Sequence, residues 1–176
     1  VACEAEWMAW AAATGRAGFY KHDRADLLLM RCGPGTSAAG VFTTNEVGSA
    51  PTDWCKGALA RNAGAARGLL VNAGCANAFT GAAGQAACSR ALQAAGGKLG
   101  IGAAAMLAAS TGVIGVVLDD ARIARALLAM NLGPVDWRAC AEAIMTTDTF
   151  AKGAGAACEI DAMAVNIAGI AKGSGM

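Results

Sequence analysis

Between Lys98 and Asp119 no charged side chain occurs over residues 99–118, about the length a helix needs to cross a bilayer. The run belongs either in lipid or in a protein core, and that choice governs the rest of the fold. Gly100, Gly102, Gly112 and Gly115 interrupt it, and Ser110 and Thr111 add hydroxyls. No Trp or Tyr stands at either end to anchor it at an interface. A buried strand over Met106-Leu107-Ala108-Ala109, entering a turn at Ser110-Thr111-Gly112, accounts for the run better than a membrane span. No membrane partner is expected.

The same low charge extends along the chain. Hydrophobic residues make up 56% of the 176 and charged residues 15%, against about 25% in an average globular protein. Disorder needs the opposite balance, so the chain is read as one domain, 1–176, much of whose surface faces protein rather than water. A net charge of +1 without any block of like charges gives no footprint for nucleic acid. Seven scattered cysteines without a C-x-x-C, and one histidine, His22, support neither a disulfide framework nor a zinc site. Free thiols in a reducing compartment are expected. The acidic Glu4 and Glu6 near the start do not resemble a signal peptide, so a cytoplasmic location is expected.

Short β-favouring runs alternate with Ala-rich helical ones, which predicts a mixed α/β fold. Leu27–Met30 and Ala39–Phe42 read as strands separated by the Gly33-Pro34-Gly35 turn, and Leu69–Val71 as a third entering a loop at Asn72. A helix is predicted over Gly84–Ala95, stopped by Gly96-Gly97. Another runs from about Asp120 to Met130 behind an Asp119 N-cap, with Ile123, Leu127 and Met130 on one face. A further helix over about Asp136–Met145 leads to Thr146-Thr147-Asp148, and the last strand candidates are Ile160 and Met163–Ile167.

Four stretches carry possible chemistry. The Thr111 hydroxyl and the Gly112 N–H are adjacent donors able to meet one oxygen, as an oxyanion hole requires, or they simply satisfy a turn. Thr146-Thr147-Asp148-Thr149 offers hydroxyls and a carboxylate for a polar substrate, or a cap for the next element. The Asn72–Asn77 loop is a rigid turn, or presents Cys75 as a nucleophile, for which only the distant His22 is available as a base. Lys172 reaches a ligand carboxylate or is a solvated charge. No phosphate-loop or dinucleotide fingerprint occurs, so no cofactor is expected.

Taken in order, four stretches resemble the ornithine acetyltransferase (glutamate N-acetyltransferase) family of arginine biosynthesis. They are Val71–Gly74 with Ala76–Gly81, Ser110–Gly115, Ala143–Thr149 and Gly169–Met176, and the likeness runs from about Asp26 to Met176. The resemblance implies a layered α/β sandwich of the self-processing N-terminal-threonine type, completed by a separate β chain. It implies that the present chain is the α chain of a cleaved precursor, short of its last residues, in an α2β2 assembly. The β threonine would be the nucleophile and its free α-amino group the base, which fits the scarcity of histidine. Thr111 and Gly112 would form the oxyanion hole, and Thr146 and Lys172 would bind substrate. The implied reaction is a ping-pong transfer of acetyl from N-acetylornithine to glutamate. Cys75 stands where the family usually has asparagine, and Ala151 where proline is common. Two other readings stay open: a related self-processing amidase or aminopeptidase with water as acceptor, and a non-catalytic structural subunit.

Overall fold

The computed structural model describes residues 10–173; Glu4, Glu6, Trp7 and the Ser174-Gly175-Met176 end of the last motif lie outside them. A four-stranded sheet is built from β1 (Ala11–Gly15), β2 (Leu27–Arg31), β3 (Gly68–Cys75) and β4 (Met106–Val113), side by side in that order. The first three are antiparallel neighbours, while β4 lies parallel to β3. A parallel return requires a crossover, and helix α2 (Gly81–Leu99) supplies it. The α/β architecture expected from the alternation is the one observed.

The apolar run of β2 explains why the sheet is covered on both faces. Leu27 and Leu29 enter one core with Ala87, Cys88, Ala91, Leu92 and Ala95 of α2 and with Ile123 and Leu127 of α3 (Asp120–Ala129). Leu28 and Met30 enter a second core with Cys140 and Ala143 of α4 (Trp137–Ala143). A strand whose residues alternate between two dry faces must be apolar at every position. Asp119 and Asp136 cap α3 and α4, accepting from backbone N–H groups of Arg122 and of Arg138 and Ala139.

Three expectations are corrected. Ala39–Phe42 is irregular rather than a strand, and Val41 is fully exposed, because none of the described residues pairs with or covers it. The stop expected at Gly96-Gly97 lies inside α2. Gly96 is kept small by the Ile101 carbonyl, which an added Cβ would meet at 2.7 Å. The helix ends at Gly100, in the left-handed region at φ 68, with the Ile101 N–H closing onto Gly96 O. Finally, Ser110-Thr111-Gly112 is not a turn after β4 but its C-terminal end, paired in register with Asn72, Ala73 and Gly74 of β3.

Helix α1 (Ala50–Arg61) was not expected, although Ser49 caps it and Pro51 opens it. It lies along the free edge of β4. Trp54 Nε1 donates to Met106 O at 3.0 Å, and Cys55 Sγ bonds both the N–H and the C=O of Ala108. These side chains satisfy edge groups that no strand reaches. Trp54→Phe, which keeps the ring and removes the donor, is expected to cost about 1 kcal/mol, read as a lowered Tm of the complete enzyme.

Strands β5 (Lys152–Ile160) and β6 (Met163–Ala171) form a hairpin that, among the described residues, pairs only with itself and is exposed along nearly its whole length. Ile170 reaches the α4 side of the core, while Ile160, Met163 and Ile167 are exposed. Among the described residues, no helix is long and apolar enough to cross a membrane. Residues 103–113 of the uncharged run form a single 3-10 turn and then β4.

Candidate active site

Parallel pairing turns the backbone of alternate β4 residues toward β3. Val113 O accepts from Ala76 N, whereas Met106 and Ala108 turn their polar groups outward to Trp54 and Cys55. Regular alternation carried on through Gly112 would turn its N–H away from β3, at the stretch of edge beyond Cys55. Gly112 has φ 128, where L side chains are strained. A Cβ there would also collide with the backbone of Gly74, its register partner, and lie 2.7 Å from Cys75 N. Glycine is required here on both counts.

Ser110 and Thr111 project to opposite faces. Ser110 Oγ donates to Asn72 Oδ1 at 2.6 Å, and Asn72 Nδ2 donates to Cys75 O at 2.8 Å. This pair locks the end of β3 to the end of β4. Thr111 Oγ1, on the other face, accepts a 2.9 Å bond from Lys172 Nζ. Two predicted site residues 61 positions apart therefore touch.

Thr146 is tied to the same corner by a residue singled out only as part of its motif. Asp148 Oδ2 accepts from Thr146 N at 3.1 Å, while Oδ1 accepts from Gly173 N at 2.6 Å and from Lys152 Nζ at 2.7 Å. The Lys152 bond, with the two backbone N–H bonds, holds the Asp148 carboxyl far below the usual carboxylate range. Its side chain is covered by these partners. The only local signal is short separation: Asp148 lies two residues after Thr146 and four before Lys152.

The sign of the Asp148 shift sets a pH dependence. A carboxyl whose folded value is depressed adds stability that is complete above its ordinary value of 3.8 and is lost as pH falls below it. The stability gap between the wild type and Asp148→Asn, measured by denaturant titration, is expected to be constant near neutrality and to narrow below about pH 4. A gap that stayed constant to pH 3 would contradict this assignment.

Cys75 is not poised as a nucleophile. It is buried, its Sγ donates to Val116 O at 3.3 Å, and burial raises its pKa, so the thiol stays protonated. The adjacent Asn77, fully buried at φ 49, organises the loop. Its Oδ1 accepts from Leu118 N and Thr80 Oγ1, and its Nδ2 donates to Gly84 O. The loop expected from Asn72 is corrected: β3 continues through Cys75, paired with β4, and only Ala76 and Asn77 leave the strand. Among the described residues no three His, Cys, Asp or Glu side chains are grouped to hold a metal.

An open recess of about 1110 Å³ lies between α4 and the hairpin, lined by residues including Arg24, Glu142, Met145, Phe150 and Gly155. None of Thr111, Gly112, Thr146 or Lys172 lines it. Concavity alone would place the site there, but the converging donors and cations lie at the β4 end, and chemistry needs those groups. Around them the surface is apolar: Val113, Ile114, Val116 and Val117 follow Gly112 and are all exposed.

Comparison with known proteins gives the family of the chain. The ArgJ family profile matches residues 11–176. The arginine biosynthesis bifunctional protein ArgJ of Caulobacter vibrioides is 58% identical over 93% of this chain and 41% of that protein. The protein of the same name from Bradyrhizobium diazoefficiens is 43% identical over 93% and 40%. The chain thus spans about two fifths of the length of these relatives. A crystal structure of arginine biosynthesis bifunctional protein ArgJ from Bacillus halodurans is 30% identical with a TM-score of 0.89, over 96% of this chain and 88% of that one. The ornithine acetyltransferase of Mycobacterium tuberculosis, solved with ornithine, is 34% identical with a TM-score of 0.81, over 96% and 90%. With the profile spanning almost the whole sequence and the fold shared throughout, the chain belongs to the ArgJ family.

Proposed function

We propose that this chain is the α part of a glutamate N-acetyltransferase, a single domain that contributes the oxyanion hole and half of the substrate site. The threonine at the start of a β part attacks the acetyl carbonyl of N-acetylornithine, with its own α-amino group taking the proton. The tetrahedral intermediate collapses as the C–N bond breaks and protonated ornithine leaves. Glutamate then attacks the acyl-threonine through its amine, and the threonine oxygen leaves and recovers a proton. Thr111 Oγ1–H and Gly112 N–H meet the oxyanion of both intermediates, while Thr146 and Lys172 bind the amino-acid part of the substrates.

The observation that carries this reading is the convergence at the end of β4. Thr111 touches Lys172, Gly112 follows it at the same strand end, and Asp148 ties Thr146 to the residue after Lys172. The exposed hairpin and the apolar run after Gly112 fit a surface that a β part covers, in an α2β2 particle of the cytoplasm. The two solved chains are matched over nearly their full length while the curated relatives are matched over two fifths, as division of a precursor into two chains requires.

Intact-mass measurement of the complete gene product tests the division: two chains are expected, one beginning with threonine. Incubation with N-acetylornithine and glutamate then tests the chemistry. Acetylglutamate and ornithine in equal amounts are expected. Free acetate without acetylglutamate would indicate a hydrolase, and a single uncleaved chain would remove the mechanism.

A further inference from the structure

A hydroxyl has one proton to give and two lone pairs to receive with, whereas an ammonium only donates. The 2.9 Å contact between Lys172 Nζ and Thr111 Oγ1 therefore runs one way, with lysine the donor and threonine the acceptor. Among the described residues this is the one hydrogen bond that the Thr111 side chain makes, so its proton is not spent on a neighbour. Two features hold the ammonium there. Asp148 anchors the backbone beside it through Gly173 N. The same carboxylate is already paired with Lys152, so it does not draw the Lys172 charge away from Thr111.

We infer that Lys172 is a positioning residue for the oxyanion donor: by occupying a lone pair of Thr111 Oγ1, its ammonium commits the threonine proton to the reacting oxygen. This rests on the reading of Thr111 as an oxyanion donor. A threonine hydroxyl on a strand otherwise rotates among staggered positions and spends its proton on water or backbone. A cation at hydrogen-bond distance also polarises the O–H bond, so the bond Thr111 donates strengthens as charge develops on the oxyanion. An ammonium has three N–H groups, so this role uses one and leaves two for a substrate carboxylate.

The test is a double-mutant cycle in the complete enzyme. The variants are Thr111→Ala, Lys172→Gln and both together, with Lys172→Arg as the conservative control. Rates are normalised to the fraction of cleaved chain measured by intact mass. If Lys172 acts through Thr111, Lys172→Gln lowers kcat about tenfold to a hundredfold in the parent and about twofold or less in the Thr111→Ala background. Lys172→Arg, which restores a cationic donor, recovers most of the parent kcat. Equal losses of kcat in both backgrounds, or a Lys172→Gln effect confined to KM, would overturn the inference while leaving the oxyanion hole in place. A Thr111→Ala enzyme with parental kcat would instead overturn the underlying assignment, and the inference with it.

Discussion

Thr111→Ala is expected to lower kcat by roughly 10²–10³, the usual cost of removing one oxyanion donor, with little change in KM. The split follows from when the bond is made. The hydroxyl meets full negative charge only in the tetrahedral states, so its loss raises the barrier without weakening the ground-state complex. Thr111→Ser keeps the oxygen that Lys172 contacts and is expected to retain activity within about tenfold of the parent, the smaller loss reflecting a freer χ1. Steady-state kinetics of acetyl exchange between N-acetylornithine and glutamate decides the matter. A Thr111→Ala variant with raised KM and parental kcat would move Thr111 from the reacting centre to substrate binding.

Gly112→Ala is expected to be at least as damaging, for a different reason. A side chain at φ 128 is strained, at about 1–3 kcal/mol. Its Cβ would also drive into the backbone of Gly74, which has no flexible end to yield. The strands must part, and a displacement of about 1 Å at the N–H is enough to cost on the order of 10²-fold in rate. A fall of about 5 °C in Tm is expected alongside. Gly115→Ala separates the two causes, because Gly115 shares the positive φ, at 82, but has open space where a Cβ would go. It should show the backbone penalty alone; equal losses in both variants would remove the collision from the explanation.

Local signals led directly to part of this structure. Asp119 and Asp136 stand where capping chemistry puts them, and the spacing of Ile123 and Leu127 gave the buried face of α3. The parts that were not legible depend on distant partners. Ala39–Phe42 has strand composition but no neighbour to pair with. In β1, Ala11-Ala12-Ala13 carries no β preference and becomes a strand through pairing with β2. At the site, Thr111 and Gly112 were readable as adjacent donors. Their position inside a paired strand, and the contact between Thr111 and Lys172, come from register and from the hairpin's return. The role of Asp148 was half visible: its reach to Thr146 and Lys152 is local, whereas its bond to Gly173 is not.

The contact of α1 with β4 bears on misassembly. An unpaired strand edge is a template on which another copy can add a strand, and long flat edges lead to aggregates. Here Trp54 and Cys55 occupy the rungs at Met106 and Ala108, leaving only the short segment from Ser110 onward without that cover. A segment so short supports little strand addition, yet it is long enough to present one N–H to a small molecule. The helix thus guards against self-templating along the edge where the proposed oxyanion hole must stay open.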